Sequence, residues 1–374
     1  MLRDKLVPLT ESKVHAQLQE LMGRLIETEE PFAVWGAGNT GTAAVEYLKE
    51  YSNGKLEPCC IVDNNPSVWD GEKMMSPDKF FAMAEIPKIL LVCVYVADQV
   101  VQQIEEAGYQ GEVIVFSTSM LSDNKEVWRF YEEHMPELEE LYSILSDERS
   151  KETLEGFLNC IRSGDLAYFE KINGESTEKL LDPEILKFTP EEVFIDVGAF
   201  TGDTILEFLE LTHGKYKKIM GIEMDQGNYG ILRETTSKIE NVVVKNAAAG
   251  SESGRMHFVS GHSESCYLSE SGDSETEVVA LDDLLQMQDV TFIKISANGL
   301  ELPILQGAEQ LLRRNVPKLS MYASGRELWE IPRYLKRIVP EYNVYCRHYG
   351  YGRQAMICYA VKLMDEERFD DGCI

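Results

Sequence analysis

Three acids stand around one glycine turn. In "VFIDVGAFTGDT" (193–204), Asp196 follows an apolar run, Gly198, Ala199 and Gly202 form the turn, and Asp203 opens the next helix. Glu223 ends the following strand, in "IMGIEMD". Carboxylates repel a pyrophosphate but attract a cation, and one carboxylate can accept two hydroxyl protons. A ligand with an ammonium, a sulfonium and a ribose meets both demands, and S-adenosylmethionine (SAM) is such a ligand. On this reading Gly198 and Gly202 let the backbone approach the methionine part. Asp196 orients the ammonium, directly or through water, and Glu223 takes the ribose hydroxyls. The alternative is an ordinary strand–turn–helix with surface acids, against which three apolar residues before Asp196 argue.

A second glycine turn has the opposite character. "WGAGNTG" places Gly36, Gly38 and Gly41 as G-x-G-x-x-G after a strand and at the start of a helix. Asp63 ends the next strand, about where a ribose-binding acid belongs. No acid lies within the turn, so its backbone N–H groups suit a phosphate. A nucleotide such as NAD, or a nucleotide-sugar, is one reading. Close packing of helix on strand is the other.

A third turn joins a strand to a helix in "TFIKISANGLELPILQGAEQLL" (291–312). Strand ends of this kind are where open α/β sheets gather ligands. Lys294, Ser296, Asn298 and Glu301 are its acceptor-site candidates. Ser296 and Asn298 can hydrogen-bond a hydroxyl, but neither holds a proton near neutral pH. No metal is expected, since no His/Cys/Asp cluster has ligand spacing. His257 and His348 read as packed or exposed histidines. Arg347, Tyr349, Tyr351 and Arg353 in "CRHYGYGRQ" read as a solvated loop, with contact to an anionic acceptor as the alternative.

These turns need strands and helices to hold them. Residues 11–28 have the spacing of an amphipathic helix, with Val14, Leu18, Leu21, Met22 and Leu25 on one face. Strands then alternate with helices to residue 120, which means a parallel sheet and a Rossmann-like α/β domain over 1–120. Residues 121–175 hold no strand and read as a packed helical connector, because Trp128, Phe130, Leu138, Leu141, Leu145, Leu154, Phe157, Leu158 and Ile161 recur at helical spacing. A second α/β domain occupies 176–374. Its strands are expected at Val193–Val197, Lys218–Glu223, Val242–Lys245, Glu277–Ala280, Phe292–Ser296 and Lys318–Tyr322, and 342–361 reads as an antiparallel hairpin. A parallel sheet finished by such a hairpin is a class I SAM-methyltransferase, Rossmann-like fold.

Composition narrows the partners. The 374 residues carry a formal net charge of −28, which argues against the counterion-release binding of nucleic acids and against docking on anionic lipid. No apolar run reaches the ~20 residues of a membrane span, and the polar N-terminus has no signal-peptide core. The eight cysteines (59, 60, 93, 160, 266, 346, 358 and 373) form no C-x-x-C and read as reduced thiols of a cytoplasmic protein.

From about 175 to 362 the sequence resembles the FkbM family of SAM-dependent methyltransferases. The carrying segments are "EEVFIDVGAFTGDTILEFLE", "KIMGIEMDQGNYGILRE", "NVVVKNAAAGSESGRMHF", "TEVVALDDLL", "FIKISANGLELPILQGAEQLL" and "PKLSMYASGRELWEIPRYLKRIVPEYNVYCRHY", in the family's order and spacing. The connector and "LLDPEILKF" resemble longer members with an N-terminal Rossmann-like domain. The resemblance implies methylation of a hydroxyl on a sugar, glycan precursor or natural product, with a small-molecule or glycan acceptor, in a bacterial cytoplasm. It carries the cofactor site over onto Asp196, Gly198, Gly202 and Glu223. Met224 stands where a proline is common, and Asn246 and Ala247 fall on the segment near the adenine. Asp282 also matches, with a helix cap as its expected role.

The departures cluster on the acceptor side. Ser296 and Asn298 replace the family's aspartate and glutamate, and Tyr322-Ala323 replaces a Tyr-His pair. Lys294, Gly299 and Glu301 are retained. Two further readings therefore stand beside a methyltransferase: a catalytically degenerate SAM-binding or scaffold protein of the same fold, and a nucleotide-dependent sugar-modifying module acting through the first domain.

Overall fold

Five short strands build the first sheet: β1 (Phe32–Trp35), β2 (Cys60–Val62), β3 (Met74–Met75), β4 (Ile89–Val92) and β5 (Glu112–Val115). Every residue of β1 and β4 is buried, as suits the centre of a parallel sheet covered on both faces. The computed structural model describes residues 1–65, 73–94, 97–117, 121, 123–174, 179–259, 267–268, 274–286 and 289–363. The strand order is β3–β2–β1–β4–β5, all parallel. Alternate side chains serve two cores. Phe32 and Val34 pack with Leu18, Leu21, Met22 and Leu25 of the helix Lys13–Thr28. Ala33 and Trp35 pack with Phe80, Val100 and Ile104.

The chain divides into two compact units. The first comprises Met1–Pro136, Glu152–Ser176 and His348–Ala355, and the second Glu137–Lys151, Thr177–Arg347 and Met356–Ile374. The stretch expected as a connector forms helices Asn124–Glu133, Met135–Ile144, Glu148–Ser163 and Ala167–Ile172.

In the first unit, packing accounts for much of the glycine turn. A Cβ on Gly41 would stand 1.9 Å from the Gly36 carbonyl oxygen, so the helix Asn39–Tyr51 is pressed onto the turn. A Cβ on Gly38 would meet nothing within 4 Å. Asp63 folds back onto the same turn. Its Oδ2 accepts from Ala37 N at 2.7 Å and its Oδ1 from Asn65 N at 2.7 Å. The acid expected at a ribose thus braces the turn and engages one of its amides. We expect Gly41→Ala to destabilise this unit by about 1–3 kcal/mol through overpacking, read by denaturant melting. Gly38→Ser should be neutral or slightly stabilising, since Gly38 is an N-cap without a side-chain bond.

The second unit contains β6 (Val193–Val197), β7 (Lys218–Glu223), β8 (Val242–Asn246), β9 (Ala248–Ala249), β10 (Gly254–Val259), β11 (Tyr267–Leu268), β12 (Ser274–Val279), β13 (Phe292–Ile295), β14 (Lys318–Tyr322), β15 (Asn343–His348) and β16 (Met356–Val361). Its main sheet runs β15–β16–β14–β13–β6–β7–β8. The run from β14 to β8 is parallel, and β16 is antiparallel to β14. This is a class I SAM-methyltransferase-like sheet, with β6 and β13 side by side near its middle.

Two expectations need correction. Glu277–Ala280 does not join the main sheet. It belongs to a smaller sheet, β11–β10–β12–β9, inserted between β8 and β13. Glu277 is exposed between the buried Thr276 and Val278, the alternation of a strand with one wet face rather than of a sheet centre. Nor is "CRHYGYGRQ" a solvated loop. Arg347 is 2% exposed, with Nη2 donating to Asp147 Oδ2 at 2.7 Å and Nη1 to Ser150 Oγ at 2.8 Å. Tyr349 is buried as well. His348 stacks on Phe169, and burial pushes its pKa down to about 4, so the ring is neutral.

Candidate cofactor and acceptor site

The site candidates lie at the carboxyl ends of β6, β7, β8 and β13. Strand register places Lys294 directly beside Asp196, with Ser320 on Lys294's other side. All three are buried. The Lys294 ammonium lies 2.9 Å from Asp196 Oδ1 and donates to the Gly198 carbonyl at 2.8 Å. The contact with Asp196 is ionic by distance rather than a directed hydrogen bond. Among the described residues neither carboxylate oxygen has a hydrogen-bond partner, and nor does Ser320 Oγ. Burial raises the Asp196 pKa, and the charge of Lys294 opposes the shift. Orphaned polar atoms this deep are what a ligand or ordered water satisfies.

Gly198 has φ +71°, and a Cβ there would stand 1.9 Å from the Ser296 carbonyl oxygen. The turn after β6 and the turn after β13 are therefore in backbone contact. Gly198 and Ala199 both donate to the Ile222 carbonyl, at 2.9 and 3.0 Å, which ties the first turn to β7. Gly202, at φ +94°, caps the helix Asp203–Leu211. Asp203 is exposed in that helix's first turn, where a negative charge suits the dipole.

Glu223 is 7% exposed. Its Oε2 accepts from Phe200 N at 2.9 Å and its Oε1 from Asp225 N at 2.8 Å. Each oxygen has a second lone pair, so the fixed carboxylate can still accept a hydroxyl on either side. Burial raises its pKa, and the two amides hold it down. Asn246 pairs in register with Glu223, and its Nδ2 donates to the carbonyls of Glu223 and Met224 at 2.9 and 3.1 Å. Ala247 N donates to the Glu223 carbonyl at 3.1 Å. Asp282 caps a neighbouring helix start through Gln310 N and Leu311 N, at 2.9 and 2.7 Å.

On the acceptor side, Ser296 is half-buried, and Asn298 is exposed with a left-handed φ of +50°. Glu301 is 1% exposed, and its two oxygens accept from Ala297 N and Gly299 N, both at 2.8 Å. It shapes the turn. Lys294, held by a carboxylate and a carbonyl, offers only donors. Ala323 is buried and donates to the Met356 carbonyl at 3.0 Å, so a larger side chain there must displace its neighbours. Among the described residues no group of three or more His, Cys, Asp or Glu is placed to hold a metal, and no helix is long and apolar enough to cross a membrane.

Sequence reasoning missed Glu327. It lies 26 positions after Glu301, and only the fold brings them together. Its Oε1 accepts from Leu302 N at 3.0 Å. Burial, then the neighbouring Glu301, raises its pKa to about 7. The folded state binds this proton more tightly than the unfolded state. The linked stability is therefore full below the ordinary glutamate range and is lost as pH rises towards about 7. We expect Glu327→Gln to flatten that decline, an effect of about 1 kcal/mol after solvent screening, measured by urea melts from pH 4.5 to 8.

Comparison with known proteins bears on the family and the fold. Residues 196–351 match the family model described as the methyltransferase FkbM domain. Among solved structures, the methyltransferase FkbM from Methylobacillus flagellatus KT superposes with a TM-score of 0.60 at 19% identity, over 91% of this chain and 93% of that one. A precorrin-6y C5,15-methyltransferase from Geobacter metallireducens GS-15 reaches a TM-score of 0.32 at 17% identity, over 48% of this chain and 85% of that one. No curated protein matches the sequence.

Proposed function

Taking as premise that residues 196–351 form an FkbM-family methyltransferase domain, we propose that the chain transfers a methyl group from SAM to a hydroxyl of a sugar, glycan precursor or natural product. One observation carries this reading. The Gly198 turn, the Ser296 turn and the fixed Glu223 carboxylate meet at one end of the sheet, where donor and acceptor would lie side by side. SAM, when bound, supplies an electrophilic methyl on a sulfonium. Glu223 accepts the ribose hydroxyls, and Asn246 with Ala247 borders the adenine. Asp196, paired with Lys294 and with carboxylate oxygens that no hydrogen bond satisfies among the described residues, would orient the ammonium, directly or through water.

The acceptor turn works by positioning. Ser296 and Asn298 can hydrogen-bond a hydroxyl and align it, which is a large part of what a displacement needs. Neither takes its proton, and Glu301, 1% exposed, sits under the turn and holds its amides. The proton then leaves to solvent, which slows the step by the ~10²–10⁴ that a placed base contributes. A second reading, SAM binding without turnover, is favoured by the same replacements at 296, 298 and 323. Transfer from methyl-labelled SAM to a panel of sugar nucleotides and cell extracts separates them. We expect saturable labelling of a hydroxyl acceptor, slower than the ~1–10³ per second common for enzymes. Binding with no transfer across the panel supports the second reading.

A further inference from the structure

We propose that Cys59 and Cys60 form a redox-active vicinal thiol pair in the first unit, in which a hydroperoxide oxidises Cys59 and Cys60 closes the disulfide. Consecutive residues of a strand point to opposite faces, which keeps neighbouring thiols apart. Here Cys59 lies just before β2 and Cys60 is its first residue, and their sulfurs are only 4.0 Å apart. Cys59 is exposed, and Cys60 lies behind it at 2% exposure. The other described cysteines, 93, 160, 346 and 358, are all buried, so among the described cysteines Cys59 is the one a dissolved oxidant reaches.

The surroundings favour a thiolate at Cys59. Lys73 Nζ donates to the Pro58 carbonyl, one residue away, at 3.3 Å. The Cys60 S–H, followed by backbone groups and the Lys73 charge, outweighs desolvation and draws the Cys59 pKa down to about 7, while the Cys60 pKa is pushed up. An exposed thiol with a second thiol in reach is the setting of reactive and resolving cysteines, and Lys73, which also pairs with Glu57 Oε2 at 3.3 Å, adds the weakest pull. In its thiol form Cys59 Sγ donates to the Phe32 carbonyl at 3.1 Å, a bond lost when the thiolate forms.

The chemistry balances without further partners. The Cys59 thiolate attacks a peroxide oxygen; the S–O bond forms, the O–O bond breaks, and the leaving alkoxide or hydroxide takes up a proton. The Cys60 sulfur then attacks the sulfenic sulfur; the S–S bond forms, the S–O bond breaks, and hydroxide leaves with the Cys60 proton as water. Two thiols are oxidised by two electrons, and the hydroperoxide is reduced.

The test is peroxide titration of the full chain, followed by alkylation and peptide mapping. In the wild type the peptide holding Cys59 and Cys60 should lose two hydrogens and resist alkylation until a dithiol reduces it. Cys60→Ser should leave a Cys59 sulfenic acid that dimedone captures, and Cys59→Ser should leave Cys60 a free thiol. Circular dichroism checks that both near-isosteric variants fold. The proposal is overturned if wild-type Cys59 passes to sulfinic acid with no disulfide. It is overturned equally if the peptide keeps both thiols at a peroxide dose that oxidises exposed methionines.

Discussion

Lys294→Met should destabilise the second unit by about 3–5 kcal/mol, the cost of leaving a buried charge without its partner. Lys294 is 3% exposed and Asp196 fully buried. Among the described residues their 2.9 Å contact is the one compensation the carboxylate has, since no hydrogen bond reaches it. Removing the ammonium forces Asp196 either to stay charged in a dry strand or to bind a proton. Adding Asp196→Asn to Lys294→Met should recover at least half of the loss, because the charge then disappears with its partner. Chemical denaturation of the single and double variants reads both numbers. A loss below about 1 kcal/mol for Lys294→Met would show that the pair is solvated rather than buried.

Glu223→Ala should weaken SAM binding by about 2–4 kcal/mol, roughly 30- to 1,000-fold, the scale of charge-assisted hydrogen bonds. The carboxylate is pre-aimed: amides of Phe200 and Asp225 fix one lone pair on each oxygen. The same bonds mean that alanine also frees two amides in the turn. Glu223→Gln narrows the difference, because it keeps the side chain's volume and one acceptor, although its NH2 then faces one of the two turn amides. It should fall between the wild type and alanine. Equal affinity in all three folded proteins would remove Glu223 from the site.

The buried strand-end positions of Asp196 and Glu223 were legible because an acid closing an apolar strand is a costly exception. The central strands were legible for the complementary reason, as short β-rich apolar runs bounded by turns. Partners set by topology were not. Arg347 reads as a surface charge, since buried arginines are rare, until Asp147 and Ser150, some 200 positions earlier, are found against it. Glu327 became visible only when a helix start was placed over the Glu301 turn. Gly198 was read as room for a cofactor, whereas its missing Cβ first makes room for the Ser296 carbonyl. Spacing shows that a glycine is needed but not which neighbour needs it. The strand at 277–279 carried enough apolar residues for the main sheet, and its wet face gave the only hint of the insertion. Cys266 and Cys373 lie outside the described residues.

SAM should be held at the carboxyl end of the second sheet, against Glu223 and the Gly198 turn. Calorimetric titration of SAM into the wild-type chain tests this most directly. One saturable site per chain, with a matching rise in melting temperature, is the predicted result. A folded chain that gives neither heat of binding nor any melting shift at millimolar SAM would contradict it.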